Sequence, residues 1–220
     1  MKKYIFTYLF CILSVALYAQ DWKPYKIDDS VQVSLPPDFT QTDTLGQTYI
    51  TAKTGFGYIQ IIKQPDNPLT TPDIEKVKHL NRYYDEFINK IKLSAKGGII
   101  TNEKDTIIGK LRVKDFTLAV DSGSGKQLRN FRILHENNAT YTFQYLHQDI
   151  HQEYAAPESK AFFNSITIPP TIGKKSQFTS PENTTGVPPP SNTKLYIGAG
   201  VFILLIVIGI LVYRNKKRRR

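Results

Sequence analysis

The chain has almost no sulfur. Of its 220 residues one is cysteine, Cys11, and one is methionine, Met1. Both precede the main body of the sequence, so disulfide bonds and cysteine-ligated metal sites are excluded there. The protein must therefore derive its stability from a packed core. The stretch from Asp21 to Ile168 is long enough to form one such domain.

The sequence also has fewer acidic residues than basic residues. It carries 29 Lys and Arg against 19 Asp and Glu, a formal charge of +10. Two of the positive charges are Lys2 and Lys3, and six lie after Tyr213, which leaves 21 basic and 19 acidic residues between the two ends. The middle of the chain is thus nearly neutral. Because binding to nucleic acid needs a basic surface on the folded part, nucleic acid is excluded as a partner.

Residues 1–19 have the three parts of a secretory signal peptide. Lys2 and Lys3 form the basic start, an apolar region follows, and small residues end at Ala19. We expect cleavage between Ala19 and Gln20, with export of the rest of the chain. An uncleaved anchor is the alternative. It would leave the middle of the chain on the same side, because the two lysines would stay inside.

The C-terminus carries the longest apolar run. From Leu195 to Tyr213 the sequence has no charged residue and no proline. As a helix this run is about 28 Å long, close to the ~30 Å hydrocarbon core of a bilayer. Residues 214–220 are nearly all basic, which keeps that end in the cytoplasm. We predict a single-pass helix held in membrane lipid, with Leu195 and Tyr213 at its ends; a buried core helix, the alternative, would have a polar face.

Residues 169–194 differ sharply in composition from the domain before them. They are rich in proline, serine and threonine, and Phe178 is their only aromatic residue. Such a segment has little apolar surface to bury, so we predict an extended linker. The predicted order is signal peptide (1–19), domain (20–168), linker (169–194), transmembrane helix (195–213) and basic tail (214–220). This order places the domain outside the cytoplasm, in the periplasm or on the outer surface of the cell membrane.

The domain is predicted to be α+β. Alternating apolar residues that end at Leu35 predict a strand, and two apolar segments on either side of Thr54-Gly55 predict a hairpin. Between Thr71 and Ala95 the apolar period changes to three and four, which predicts a long amphipathic helix with Thr71 as its cap and Pro72 in its first turn. Strands are then expected over residues 99–103, 111–120, 128–135 and 140–146, followed by a short helix through Phe162 and Phe163.

The pairing of two of these strands can be predicted residue by residue. If residues 122–125 form a four-residue turn, counting outward places Phe116 opposite Phe131 and Asp115 opposite Arg132. We therefore expect an antiparallel sheet sandwiched between the long helix and the short C-terminal helix.

The order of these segments resembles the PsbP-like fold. The resemblance is carried by the strand ending in Leu35-Pro36, the hairpin, the long helix, the strand Tyr141-Thr142-Phe143-Gln144-Tyr145 and the closing Phe162-x-x-Ser165-x-x-Ile168. It implies an α/β/α sandwich over about Trp22 to Ile168. Known members, such as the extrinsic photosystem II proteins, are largely non-catalytic, so the resemblance also implies a binding or assembly role. No ligand-binding residue of the family matches a position here, and no cofactor is expected.

One local cluster has the side chains of a metal site. His147, Asp149, His151 and Glu153 alternate along the sequence, so on an extended strand they would share one face and offer two imidazoles and two carboxylates to zinc or a related ion. In a helix only His147 and His151 would share a face. A polar turn without a metal is the further alternative.

Three basic residues also alternate with apolar ones along the sequence. Lys110, Arg112 and Lys114 would share a strand face and could bind an anionic surface such as lipid headgroups. A solvated face, or an edge strand kept charged against aggregation, is the other interpretation.

No nucleophile stands in a recognisable motif with a base and an orienting group. We therefore expect a membrane-tethered, non-catalytic binding or assembly module that contacts a protein or another envelope component. A metal-dependent enzyme, or a metal-binding protein, built on residues 147–153 is the alternative.

Overall fold

The computed structural model describes residues 22–179, except for residues 96, 122 and 124. Several predicted features lie outside these residues: the signal peptide, the cleavage site between Ala19 and Gln20, residues 180–194 of the linker, the transmembrane helix from Leu195 to Tyr213, and the tail over 214–220. None of the helices in the described part of the chain is long and apolar enough to cross a bilayer.

The strands form two antiparallel sheets. β1 (Lys23–Lys26) and β2 (Gln32–Leu35) pair with each other. The other strands are β3 (Thr40–Thr44), β4 (Gln47–Lys53), β5 (Gly57–Pro65), β6 (Ile99–Ile108), β7 (Leu111–Asp121), β8 (Lys126–Glu136) and β9 (Ala139–Gln148). They form a seven-stranded sheet in the order β3-β4-β5-β9-β8-β7-β6. The chain crosses from β5 to the far edge and then returns strand by strand until β9 pairs with β5.

A helix covers each face of the larger sheet. Helix α1 (Val77–Ser94) buries Leu80, Tyr84, Ile88 and Ile91, which pack with Phe116 and Phe131. Helix α2 (Gln152–Asn164) lies on the opposite face, where Ala155 and Phe162 pack with Tyr145 and with β2 residues such as Val33. Successive residues of a strand point to opposite faces, so the same strands supply both cores. The predicted antiparallel sheet between two helices is confirmed.

The predicted pairing of β7 with β8 is confirmed as well. Phe116 lies opposite Phe131 and Asp115 opposite Arg132, with Asp121 and Lys126 closing the ladder at the turn. The two phenylalanine rings stack with centroids 4.6 Å apart. On the other face, Nε and Nη2 of Arg132 donate to the two carboxylate oxygens of Asp115 at 2.7 and 2.8 Å.

The predicted start of the long helix is wrong. The Thr71 hydroxyl accepts a hydrogen bond from the Asn67 amide at 3.0 Å, and the Thr71 amide donates to the Asn67 carbonyl at 2.8 Å. Thr71 therefore closes a turn and cannot cap a helix. Helix α1 begins at Val77, and its N-cap, Lys76, makes no side-chain capping bond.

Two strands, β1 and β3, were not predicted by the pattern of apolar and polar residues. All five residues of β3 are exposed, so it shows no alternation of apolar and polar side chains. β1 is mostly exposed and contains Pro24. β6 was predicted only to Glu103; it continues to Ile108 after a bulge near Asn102, which adopts a positive φ of 54°. The bulge interrupts the period of two on which the prediction depended.

The domain does not end at Ile168, as the change in composition predicts. Residues 169–179 belong to the described fold, and they include a short 3-10 helix (Lys174–Gln177). Gln177 is only 1 % exposed, and Phe178 packs against the α1 core. The boundary at residues 168 and 169 is therefore wrong. The segment is held mainly by hydrogen bonds to strand main chains, which a search for apolar side chains does not detect.

Candidate functional site

The proposed metal ligands do not share a face, because β9 ends at Gln148. A short 3-10 helix (Asp149–His151) and then α2 follow, so the alternation of an extended strand stops after His147. The His147 ring is buried, with Nδ1 3.0 Å from the Gln148 carbonyl oxygen. Asp149 is paired with Lys126 at 3.5 Å, whereas Glu153 is exposed. Among the residues that the structure describes, no three histidine, cysteine or acidic side chains are grouped to hold a metal ion.

The same segment instead contributes to an exposed apolar surface. We call Phe56, Ile150, His151 and Tyr154 the aromatic patch. Phe56 is 42 %, Tyr154 61 % and Ile150 80 % exposed. The Phe56 and Tyr154 rings stack with centroids 5.2 Å apart, and the Phe56 and His151 rings are 6.2 Å apart. Exposed aromatic rings that contact each other, as Phe56 and Tyr154 do, are typical of a surface that binds a partner.

A half-buried carboxylate holds the aromatic patch in place. Glu158 of α2 accepts hydrogen bonds through Oε2 from the Tyr145 hydroxyl at 2.6 Å and from the Phe56 amide at 3.2 Å. The Thr54 hydroxyl lies 3.0 Å from that of Tyr145 and accepts a bond from the Gly57 amide at 2.9 Å. Burial, reinforced by Glu158, raises the pKa of the Tyr145 hydroxyl, which therefore stays a donor. The β4–β5 turn is thus fixed to α2 without any partner.

A second group of polar residues lies at the opposite end of β8 and β9, beside the turn at Asn137 and Asn138. His135 is 1 % exposed. Its Nε2 lies 2.9 Å from Oδ2 of Asp66, and its Nδ1 lies 3.2 Å from the Gln177 carbonyl oxygen. Both ring nitrogens are therefore engaged, and neither is free to accept a proton from a substrate as a general base must.

Two carboxyl groups in this region have opposite pKa shifts. Burial acts to raise the pKa of Asp28, but hydrogen bonds from Lys63, Tyr141 and the Ser30 amide outweigh it, and the pKa lies below its ordinary value. Lys63 Nζ lies 2.6 Å from Oδ2 of Asp28. Glu136 is fully buried, and neither of its carboxyl oxygens has a hydrogen-bond partner. Burial raises the pKa of Glu136, and the negative charge of Asp28 adds to that effect, whereas the Ser30 and Ser176 hydroxyls act to lower it.

No pattern in the sequence indicates a further buried residue, Gln177. Its Oε1 accepts a bond from the Arg112 amide at 2.8 Å, and its Nε2 donates to the carbonyl oxygens of Arg112 and His135 at 2.8 and 3.0 Å. The β7–β8 ladder has its last pair at Lys114 and Ile133, so the Gln177 side chain bridges the two strands where their own pairing has stopped. We call residues 174–179 the strap, since they cross this end of the sheet.

The alternating cations do not form a free basic face. Lys114 Nζ lies 3.4, 3.0 and 3.3 Å from carboxylate oxygens of Asp85, Glu103 and Asp105. Burial acts to lower the pKa of Lys114, but these acids outweigh it and raise the pKa, so the residue stays charged and is neutralised internally. Lys110 donates to the Pro170 carbonyl oxygen at 3.0 Å. Only Arg112 remains exposed without such a side-chain contact among those described, which does not support an anion-binding surface.

Comparison with solved structures shows the fold. The solution structure of the cyanobacterial PsbP protein CyanoP from Synechocystis matches with a TM-score of 0.50 and 10 % sequence identity, over 68 % of this chain and 93 % of that chain. A protein of unknown function from Pseudomonas aeruginosa matches with a TM-score of 0.41 and 10 % identity, over 77 % and 99 % of the two chains. LpqN, involved in cell envelope biogenesis of Mycobacterium tuberculosis, matches with a TM-score of 0.38 and 11 % identity, over 69 % and 87 %.

No protein-family model matches the sequence, and no curated protein matches it significantly. The likeness to CyanoP, over 68 % of this chain, establishes the PsbP-like fold, as the order of the segments predicts. At 10 % identity this likeness concerns the fold alone.

Proposed function

We propose that this chain is a non-catalytic binding or assembly module that works outside the cytoplasm and contacts a protein or another envelope component through the aromatic patch. The observation that carries this proposal is the exposure of Ile150, Tyr154 and Phe56, the last of which lies on a turn that Glu158 already holds in place. Aromatic side chains fixed before binding lose little conformational entropy when a partner covers them, and such residues dominate many interfaces.

The polar groups at the other end of the sheet support a binding role over a catalytic one. His135 has both ring nitrogens engaged, and Asp28 is occupied by Lys63 and Tyr141. These contacts tie separate elements together and leave no free base beside a free nucleophile. A metal-dependent reaction at residues 147–153 has no support from the geometry, because Asp149 and His151 have left the strand that carries His147.

The position of the aromatic patch suggests how the module is oriented. Gly57, next to Phe56, pairs with His147 near one end of β9, whereas the strap contacts the turn before Ala139 at the other end. The eight residue steps from Ala139 to His147 span about 27 Å at ~3.4 Å per residue. We propose that residues 195–213 anchor the chain in membrane lipid, so that the tether leaves the domain on the side away from the aromatic patch and the partner binds on the membrane-distal side.

Site-specific crosslinking in intact membranes tests this proposal. A photoreactive amino acid at Ile150, which is 80 % exposed, should trap a discrete protein or envelope component. The same group at Leu93, which is 81 % exposed on α1, is the matched control and should not trap it. Tyr154→Ala should reduce the yield at position 150 severalfold, because it removes the ring that stacks on Phe56.

Two outcomes would contradict a partner at the aromatic patch. One is the capture of the same products from positions 150 and 93, which would indicate random collision. The other is the capture of lipid alone from position 150, which would place the patch on the bilayer.

A further inference from the structure

We propose that two copies of this chain pair through β6, antiparallel, about a twofold axis between Glu103 and Lys104. The proposal goes beyond the binding role of the aromatic patch, because it concerns another surface and another partner. It begins from the position of β6, which is the last strand of the seven-stranded sheet and pairs only with β7. Among the described residues, no main-chain hydrogen bond joins β6 to any other segment. Its outer edge therefore presents main-chain groups that a further strand can pair with.

The sequence of β6 reads nearly the same in both directions. It runs Ile-Ile-Thr-Asn-Glu and then Lys-Asp-Thr-Ile-Ile, from Ile99 to Ile108. With the axis between Glu103 and Lys104, the two isoleucines at one end lie opposite the two at the other end, and the two threonines lie opposite each other. Lys104 lies opposite Glu103 of the second copy. Like residues therefore meet in the flanks and opposite charges meet at the centre, as a symmetric interface requires.

The bulge in β6 places these matching side chains on the same face. Directly opposed residues of an antiparallel pair share a face, whereas side chains alternate between faces along a regular strand. Ile99 and Ile108 are an odd number of positions apart, so on a regular strand they would point to opposite faces. Thr101 and Lys104 are three positions apart, but their partners on β7 are only two apart. This extra residue reverses the alternation, so that Ile99 and Ile108 can meet.

The packing of β6 agrees with these shared faces. Ile108 packs against the core on the α2 side of the sheet, and Ile100 packs against the core on the α1 side. Their neighbours point the other way: Ile107, 63 % exposed, lies on the α1 side, and Ile99, 64 % exposed, lies on the α2 side. In the pair, each exposed isoleucine covers a half-buried isoleucine of the second copy. Both cores are thus extended across the interface.

The charged residues of β6 favour a second copy over an unrelated strand. Bulges and charges on an edge strand generally prevent pairing. Here Glu103 and Asp105 contact Lys114 of their own copy at 3.0 and 3.3 Å, so neither meets the second copy as an uncompensated charge. Lys104 is exposed and finds Glu103 of the second copy in register. A strand without this arrangement would place unmatched groups opposite the charges.

The pair leaves the aromatic patch accessible. Phe56 precedes β5, and three strands separate β5 from β6. The two copies are related end over end, so the strap of one lies toward the end where the other has its aromatic patch. Residues 180–194 of the predicted linker span up to about 50 Å when extended, more than the ~27 Å from Ala139 to His147 along β9. One membrane can therefore anchor both copies.

Disulfide formation by the full chain in a mild detergent tests the pairing. Near the axis, the Cα atoms of position 104 in the two copies lie about 6 Å apart, within the range of a disulfide. Lys104→Cys should therefore give a covalent dimer on mild oxidation. Ile99→Cys, on the same strand, should give at least about tenfold less, because the two copies of position 99 lie about 30 Å apart. The unaltered chain gives the background from Cys11.

The other edge of the sheet supplies a matched control. Thr42→Cys lies at an exposed position in the middle of β3 and should give as little dimer as the unaltered chain. Equal yields from positions 104 and 42, or from positions 104 and 99, would indicate random collision and would overturn the pairing.

A second substitution tests the isoleucine contacts. Ile107→Lys, added to Lys104→Cys, should lower the dimer yield severalfold, because it puts a cation opposite Ile100 of the second copy. Leu45→Lys, at a turn position that is 78 % exposed, should leave the yield unchanged. A yield that Ile107→Lys does not alter would show that the flanks of β6 do not pair.

Discussion

At the scale of single residues, the Gln177 side chain supplies a hydrogen-bonded bridge between β7 and β8 where the two strands do not bond to each other. β7 and β8 stop pairing after Lys114 and Ile133, so Arg112 of β7 and His135 of β8 do not pair with each other. The Gln177 amide satisfies both main-chain groups of Arg112 and the carbonyl of His135, and it is almost fully buried there. Because buried main-chain groups must be paired, this one side chain ties the strap to the sheet.

We expect Gln177→Ala to destabilise the domain by about 2–4 kcal/mol. The change leaves several buried donors and acceptors without a hydrogen-bond partner, at a cost of about 1–3 kcal/mol each, and water that enters the site offsets part of this cost. Urea unfolding followed by the fluorescence of Trp22, the only tryptophan in the chain, measures the change. Gln148→Ala, at an exposed position, is the control and should shift the midpoint little. Equal midpoints for the two variants would mean that the strap contributes nothing to stability.

How well a residue could be placed from the sequence depended on the range of its contacts. Phe116 and Phe131 were paired correctly because the turn between them fixes the count, and Asp115 with Arg132 followed from the same count. Gln177 and Glu136 had no comparable signal. Gln177 bonds to Arg112, which lies 65 positions away, and no local pattern encodes so distant a partner.

At the scale of the helices and strands, the interiors were predictable and the ends were not. The period of three and four that defines α1 reports which side chains face the sheet, and those residues are buried. The first turn depends on which local hydrogen bonds form, and the Thr71 hydroxyl bonds to the Asn67 amide and does not cap the helix. β3 has no buried side chain, so it pairs with β4 through main-chain bonds and exposed polar contacts such as that between Thr40 and Thr51. A pattern of apolar residues cannot report such a strand.

The β4–β5 turn depends on a close approach between the chain and an aromatic ring. A Cβ atom at Gly57 would lie 2.5 Å from the Tyr145 ring, which itself is held by Glu158. We expect Gly57→Ala to cost about 1–3 kcal/mol, since a fully packed ring has no room to move. The displaced Tyr145 should also release Glu158 from the Phe56 amide and loosen the aromatic patch.

Gly173→Ala provides the matched control for that change. Nothing lies within 4 Å of a Cβ atom at Gly173, and its φ of −109° suits any residue. Urea midpoints should therefore separate the two alanine variants clearly. If Gly57→Ala is as stable as Gly173→Ala, the Tyr145 ring is not the fixed support that the hydrogen bonds indicate.

At the scale of the whole molecule, the domain is bound at one end by its strap and presents its aromatic patch at the other. This arrangement suits a module that reaches from a surface to a partner. The aromatic patch could not be predicted from the sequence, because Phe56 and Tyr154 lie far apart along the chain and meet only when α2 packs beside the β4–β5 turn. The pattern in the sequence instead predicted a metal site at His147 and its neighbours, which lie next to the patch.

The scarcity of cysteine makes the proposed orientation directly testable. Cys11 is the only cysteine, and it would leave with the signal peptide, so a chain cleaved after Ala19 should not react with a maleimide. We expect Ile150→Cys to be labelled in intact cells by a membrane-impermeant maleimide, because the proposed anchor would place the domain outside the cytoplasm. Asn215→Cys, in the predicted tail, should be labelled only after the membrane is opened, because basic residues next to a membrane-spanning helix favour the cytoplasmic side. Labelling of both positions in intact cells, or of neither, would contradict a single-pass anchor over residues 195–213.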